Sequence, residues 1–147
     1  MISPVSHDML APAAVLALWT LIVLLYMMVV RFGAFKAANI NLAKAPPGGR
    51  GQDLDAILPK PATWPAHNYT HLLEQPTLFY PVVIILALLG AVNQTNIVLA
   101  WVYVGLRVVH SIWQIKVNTV PVRASIFFLS TIVLIVLAVN AVRAALG

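Results

Sequence analysis

Three ionisable side chains stand at regular spacing in HNYTHLLEQPTLFYP, residues 67–81, where a polar stretch runs into an apolar one. His67, His71 and Glu74 occupy positions i, i+4 and i+7, so an α-helix would place them on one narrow face. Imidazole and carboxylate groups can bind a charged ligand or coordinate a metal ion. In an apolar environment such groups must be satisfied by one another, by water or by a ligand, so they indicate a functional site.

A second polar stripe follows in the next apolar segment, and its members share one helical face: Asn96, Tyr103, Arg107, His110 and Gln114. Glu74 is the only acidic residue in or near the last three apolar segments. We therefore expect Arg107 and His110 to be partnered by Glu74, by an anionic ligand or by both. A buried polar seam that fixes helix packing is the alternative interpretation of this stripe.

Arg123 stands at the start of the last apolar segment, just after Pro121. A helix N-terminus already carries partial positive charge, so a cation there favours an anion-binding site more than it favours the helix. The alternative is an arginine that extends to lipid phosphate at the membrane surface. That alternative applies still more strongly to Arg31, which ends the first apolar segment.

The elements that must position these residues are membrane helices. The chain is 61% hydrophobic and only 9% charged, whereas soluble domains carry about 25% charged residues. Residues 9–30 contain no charge and would reach about 33 Å as a helix, enough to cross a bilayer. No basic residue precedes them, so we expect a retained helix and not a signal peptide. We predict one all-α integral membrane domain, residues 1–147, with four transmembrane helices at about 9–30, 67–91, 96–115 and 123–143.

The connections predict how these helices are arranged. Short links after the second and third segments favour antiparallel neighbours and an up-down bundle. The long loop 31–66 contains APPGGRGQ, which breaks regular structure, and a short helix is expected near 54–58. Most Lys and Arg residues lie in this loop, so we expect it on the cytoplasmic side of a bacterial inner membrane. No nucleic-acid motif is evident in the sequence, and a nucleic-acid partner is not expected.

With this topology the ionisable groups converge at the loop end of the bundle: His67, Glu74, Arg107, His110, Gln114, Arg123 and Arg31. They predict a cationic pocket beside an apolar region, suited to a small polar anion together with a lipophilic partner. A metal site built from His67, His71, Glu74 and His110 is one alternative. A non-enzymatic scaffold or lipid-binding subunit is the other. The chain has no cysteine, which excludes a thiol nucleophile of its own.

At these residues the sequence resembles the MAPEG family, the membrane-associated proteins of eicosanoid and glutathione metabolism. The resemblance rests on HLLEQPTLFYP and on LRVVHSIWQIKVNTVPVRASIFF. In the second stretch the family's arginine, its histidine with a small hydroxyl residue, and its proline-x-arginine correspond to Arg107, His110–Ser111 and Pro121–Arg123.

The resemblance implies a homotrimer of four-helix subunits that bind glutathione between neighbours. It assigns the glutathione amino end to Glu74, a carboxylate to Arg107, and stabilisation of the thiolate to Arg123, with Arg31 similar to a catalytic arginine of some members. The family pattern of arginine, asparagine and glutamate on the second helix is His67, His71 and Glu74 here, and Gln114 replaces a family tyrosine. With His110, these residues form the expected cofactor-binding set: Glu74, His71, His67, Arg107, His110 and Gln114.

The function implied by the resemblance is a transferase or peroxidase that uses glutathione as cosubstrate. An arginine-stabilised thiolate would attack a small lipophilic electrophile or a lipid hydroperoxide that arrives from the membrane lipid. No metal ligand is part of this assignment.

Overall fold

The computed structural model describes residues 4–44 and 47–147, and all regular structure in them is helical. Five α-helices follow in order: α1 (Pro4–Ala37), α2 (Lys60–Glu74), α3 (Pro76–Leu88), α4 (Gln94–Lys116) and α5 (Val120–Leu146). Four stretches of the described residues are long and apolar enough to cross a membrane: His7–Ala37, Lys60–Leu88, Gln94–Lys116 and Val120–Leu146. An all-helical chain with four candidate spans is what the apolar segments predict, and this expectation is confirmed.

The predicted loop 31–66 is shorter in the structure because helices extend into it from both sides. α1 continues to Ala37, and α2 already begins at Lys60. Between them lie two short 3₁₀ helices, Leu42–Lys44 and Gly51–Ala56. The second supplies the short helix expected near 54–58, slightly earlier in the chain. The first two residues of APPGGRGQ lie outside the described residues.

The second candidate span consists of two helices, because α2 ends at Glu74 and α3 begins at Pro76. Proline has no backbone N–H to continue the hydrogen bonds of the preceding turn, so it starts a helix more readily than it extends one. The side chain of Gln75, which lies between α2 and α3, forms hydrogen bonds to α4 and to α5. Its Nε2 donates to Thr131 Oγ1 at 2.8 Å, and its Oε1 accepts from the Tyr103 hydroxyl at 3.1 Å. The break is therefore tied to α4 and α5.

α4 and α5 run in opposite directions, as contacts at their two ends demonstrate. Asn140, late in α5, donates through Nδ2 to Asn96 Oδ1, early in α4, at 2.8 Å. At the other end the ring centroids of His110 and Phe127 are 6.4 Å apart. Between these ends lies an apolar core in which the rings of Phe79 and Tyr103 stack at 4.4 Å. This packing fixes the polar face of α4 against α2 and α5.

Candidate functional site

A pocket of about 280 Å³ lies between α2, α4 and α5, and we call it the bundle pocket. It is lined by six of the eight residues that the sequence indicates: His67, His71, Glu74, His110, Gln114 and Arg123. The remaining wall is apolar and consists of Val120, Ala124 and Phe127. The structure thus brings cationic, acidic and hydrogen-bonding groups together beside an apolar surface.

Two histidines of α2 are each paired with a carboxylate. His71 Nδ1 lies 2.7 Å from Glu74 Oε2, one turn further along the helix. His67 Nε2 lies 2.7 Å from Asp55 Oδ2, which comes from the 3₁₀ helix Gly51–Ala56. Each pair leaves the other ring nitrogen available to a ligand. The i, i+3 spacing of His71 and Glu74 makes their contact a direct result of helical geometry.

Arg107 is fully buried and does not line the bundle pocket. Its Nη2 donates to the carbonyl oxygen of His71 at 2.8 Å, and its guanidinium carbon lies 5.8 Å from the centre of the Phe127 ring. Its Nε and Nη1 have no hydrogen-bond partner among the described residues. The sequence indicated Glu74 as one possible partner, but the Glu74 carboxylate contacts the His71 ring instead. Arg107 is therefore a cation directly behind the pocket wall.

His110 and Gln114 extend the polar face of α4 into the pocket. Both are almost completely buried, and His110 Nδ1 and Gln114 Oε1 have no partner in the part of the chain that the structure describes. Next to His110, Ser111 accepts a hydrogen bond from Asn68 Nδ2 at 2.5 Å. This buried bond joins α2 to α4 next to the two polar stripes.

Arg123 reaches the pocket from the first turn of α5, as its sequence position predicts. Its Nη1 donates to Asn118 Oδ1 at 2.7 Å. Asn118 has a φ of 58°, in the left-handed region that asparagine tolerates better than most residues. The tight turn between α4 and α5 therefore supplies an acceptor that holds one side of the guanidinium, while the rest remains available to an anion.

The alternative of a metal site concerns His67, His71, Glu74 and His110. Among the described residues, no group of three His, Asp or Glu side chains is arranged to hold a metal ion. His67 and His71 are each bound to a different carboxylate, Asp55 and Glu74. The alternative of a metal site on α2 therefore has no support from this geometry.

Comparison with family models matches residues 9–143 to the MAPEG family. The chain belongs to the MAPEG family. Comparisons with curated proteins and with solved structures gave no significant match. Family membership and four membrane-spanning stretches make this chain a multi-pass integral membrane protein of a family related to glutathione and eicosanoid metabolism.

Arg31 of this MAPEG chain lies outside the bundle pocket, beside a second cavity of about 410 Å³ that we call the loop pocket. Its Nη2 donates to the Gly51 carbonyl oxygen at 2.7 Å and lies 3.8 Å from Asp55 Oδ1. A Cβ at Gly51 would stand 2.6 Å from Arg31 Nη1, so glycine permits this close approach. His67 lines both pockets. The structure therefore does not place Arg31 next to Arg123.

Asp55 and Asn118 are the polar site residues that sequence reasoning missed. The expectation that Glu74 is the only acidic residue near the last three segments was wrong, because the loop between α1 and α2 brings Asp55 into contact with His67. Asp55 is one of only four acidic residues in the chain, and this small number could have indicated it as a partner for a histidine or an arginine. Asn118 could have been found from its place in the short turn just before Arg123.

Proposed function

We propose that this MAPEG protein is a glutathione-dependent transferase or peroxidase that acts on a lipophilic electrophile or a lipid hydroperoxide. The observation that carries the proposal is the bundle pocket itself. It combines Arg123, carboxylate-paired histidines and an apolar wall at one end of a bundle of membrane-spanning helices. A charged tripeptide thiol and an apolar second substrate need a pocket that has a polar part and an apolar part side by side.

Glutathione carries an ammonium group, two carboxylates and a thiol, and the pocket offers a group for each. We assign the ammonium to Glu74, whose side chain is 61% exposed. His67, His71, His110 and Gln114 supply hydrogen bonds. Arg107 adds positive charge from behind the wall of the bundle pocket. Its two unpartnered donors, Nε and Nη1, would bind a glutathione carboxylate after a small rearrangement of that wall. Cationic and hydrogen-bonding groups in a poorly hydrated site attract an anion more strongly than they would in water.

Arg123 is the group that we assign to the chemistry. A free thiol has a pKa of about 8.5, and an adjacent cation lowers it so that more thiolate is present at neutral pH. The hydrogen bond to Asn118 fixes the guanidinium before the ligand arrives. The positive end of α5 acts in the same direction. In the proposal Arg31 supports this site indirectly, because it holds the loop that carries Asp55 to His67.

We further propose a single domain with up-down topology that assembles as a homotrimer. Small-molecule pockets commonly measure about 300–1,000 Å³, and the bundle pocket, at about 280 Å³ in one subunit, is at the lower limit. A neighbouring subunit would enlarge and close it. By the distribution of Lys and Arg, the protein would lie in a bacterial inner membrane with the loop on the cytoplasmic side.

Calorimetry of glutathione binding in mild detergent tests the cosubstrate. The wild-type protein should bind saturably, and Glu74→Gln should bind at least about tenfold more weakly, since a charge-assisted hydrogen bond contributes about 1.5–3 kcal/mol. Asp53→Asn is the matched control, because this exposed carboxylate pairs with Arg50 outside the bundle pocket. No binding by the wild type would contradict the assignment of glutathione. Chemical crosslinking of the same sample should give trimers, and a clean monomer would contradict the proposed assembly.

A scaffold or lipid-binding subunit is the second candidate, and one feature favours it. An apolar groove of about 190 Å³ lies between α1 and α4, lined by Trp19, Ile22, Val23, Tyr26, Ile112, Ile115 and Lys116. A lipid chain could occupy this groove without any chemistry. The substitution Arg123→Ala separates the two candidates, since a scaffold should retain its function and a thiol-activating enzyme should lose it.

A further inference from the structure

His71 has the environment of a general base. Its Nδ1 is held by the Glu74 carboxylate at 2.7 Å, which leaves Nε2 as the ring nitrogen available in the bundle pocket. A carboxylate on one imidazole nitrogen fixes the tautomer and the ring orientation, and it stabilises the imidazolium that forms when the other nitrogen takes a proton. The side chain is 26% exposed, so a ligand can reach it.

The imidazole is also fixed by residues outside α2. Arg107 donates from α4 to the carbonyl oxygen of His71 at 2.8 Å. The ring of Phe127, from α5, lies 5.1 Å from the His71 ring at an angle of 30°, and the ring of His110, from α4, lies at 5.1 Å. A general base must be held at a defined position relative to the proton that it accepts, and these contacts provide that constraint.

The charged and titratable groups that face His71 come from α2, α4 and α5. Glu74 lies on α2 together with His71, Arg107 and His110 belong to α4, and Arg123 lines the same pocket from α5. Glu74 Oε2 contacts one nitrogen of the His71 ring, and the two arginines place positive charge near the ring. This arrangement leaves the second ring nitrogen facing a cationic pocket, the position from which a base would act on a bound thiol.

We propose that His71 is the base that removes the thiol proton of glutathione, an inference that rests on the proposed function. The S–H bond breaks, its electron pair remains on sulfur, and the proton moves to His71 Nε2. Glu74 Oε2 balances the imidazolium through Nδ1–H, and the thiolate faces Arg123. When sulfur attacks the electrophile, the proton passes from Nε2 to the atom that receives the displaced electron pair. Glu74 Oε1 remains free for the glutathione ammonium.

Proton counting on the wild-type protein tests this inference directly. Glutathione binding is measured by calorimetry in buffers of different ionisation enthalpy at neutral pH, while the thiolate is followed by ultraviolet absorbance. If His71 takes the proton, thiolate forms with almost no proton released to the buffer. If the cations alone ionise the thiol, about one proton is released for each thiolate formed, and that result would overturn the inference. Absence of glutathione binding would instead remove the proposed function itself.

The variant His71→Gln gives an independent test, because glutamine keeps a polar side chain that cannot carry the proton. The conjugation of glutathione to chlorodinitrobenzene should lose about 10²–10⁴ in kcat/KM at neutral pH, the usual contribution of a general base. The loss should shrink as the pH rises, because hydroxide then forms the thiolate. His7→Gln, on an exposed part of α1, is the control that should behave as wild type. An equal loss at every pH, or an unchanged pH profile, would reject His71 as the base.

Discussion

The buried cation Arg107 allows a quantitative prediction about stability. Its two unpartnered donors, Nε and Nη1, each carry a desolvation cost of about 1–3 kcal/mol, or about 2–6 kcal/mol together. Its bond to the His71 carbonyl contributes about 1.5–3 kcal/mol in return. The contact with the Phe127 ring adds about 0.5–2 kcal/mol. These favourable and unfavourable contributions nearly cancel.

The substitution Arg107→Met should therefore change the free energy of unfolding by less than about 2 kcal/mol, since methionine fills much of the same volume without a charge. Arg107→Ala should lower the free energy of unfolding by a further amount of about 2–5 kcal/mol, because it leaves a cavity in the core. Tyr103→Phe is the control for a satisfied polar group. It removes the hydroxyl that donates to Gln75, and we expect a loss of about 1 kcal/mol.

Unfolding of the detergent-solubilised protein, followed by circular dichroism during titration with a denaturing detergent, measures all three variants. A loss above about 3 kcal/mol in Arg107→Met would refute the reasoning, because such a loss is typical of breaking a satisfied buried ion pair. Arg107 would then be a structural residue whose donors are satisfied in the free protein. A near-neutral result would indicate a cation that is retained for binding.

Two further predictions concern individual polar contacts. Asp55→Asn should shift the Nε2 resonance of His67 in nitrogen NMR, because the carboxylate 2.7 Å away loses its charge; Asp53→Asn should not, and an unmoved resonance in Asp55→Asn would contradict the pair. Asn140→Ala and Asn96→Ala should show a coupling energy of about 0.6–1.7 kcal/mol in a double-mutant cycle of unfolding, as membrane interhelical hydrogen bonds do. Strict additivity would mean that this bond contributes nothing.

The helices were predictable because membrane spans depend on composition and length alone. Residues 9–30 predicted a helix from their apolar run, and α1 contains them and extends beyond both ends. Pro76 indicated a bend, but sequence alone did not distinguish a bent helix from two helices. That outcome depends on whether neighbouring side chains satisfy the break, as Gln75 does through Thr131 and Tyr103.

The site was predictable where helical periodicity fixes the neighbours. The spacing of His71 and Glu74 placed them on one face, and the structure pairs them. The partner of His67 was not predictable, because Asp55 arrives through a loop whose path is set by Arg31 and Gly51. Spacing likewise placed Arg107 on the polar face of α4. Whether it lines the pocket or lies behind it depends on packing against Phe127, which periodicity does not specify.

Formation of glutathione thiolate in the bundle pocket is the most direct test of the proposed function. Its ultraviolet absorbance is recorded at neutral pH with saturating glutathione for the wild type, for Arg123→Ala and for Arg143→Ala, an exposed arginine at the far end of α5. We expect a thiolate signal in the wild type and in Arg143→Ala, and none in Arg123→Ala, which should still fold as a helical protein. An equal thiolate signal in Arg123→Ala would contradict the role of this arginine and, with it, the mechanism proposed for the pocket.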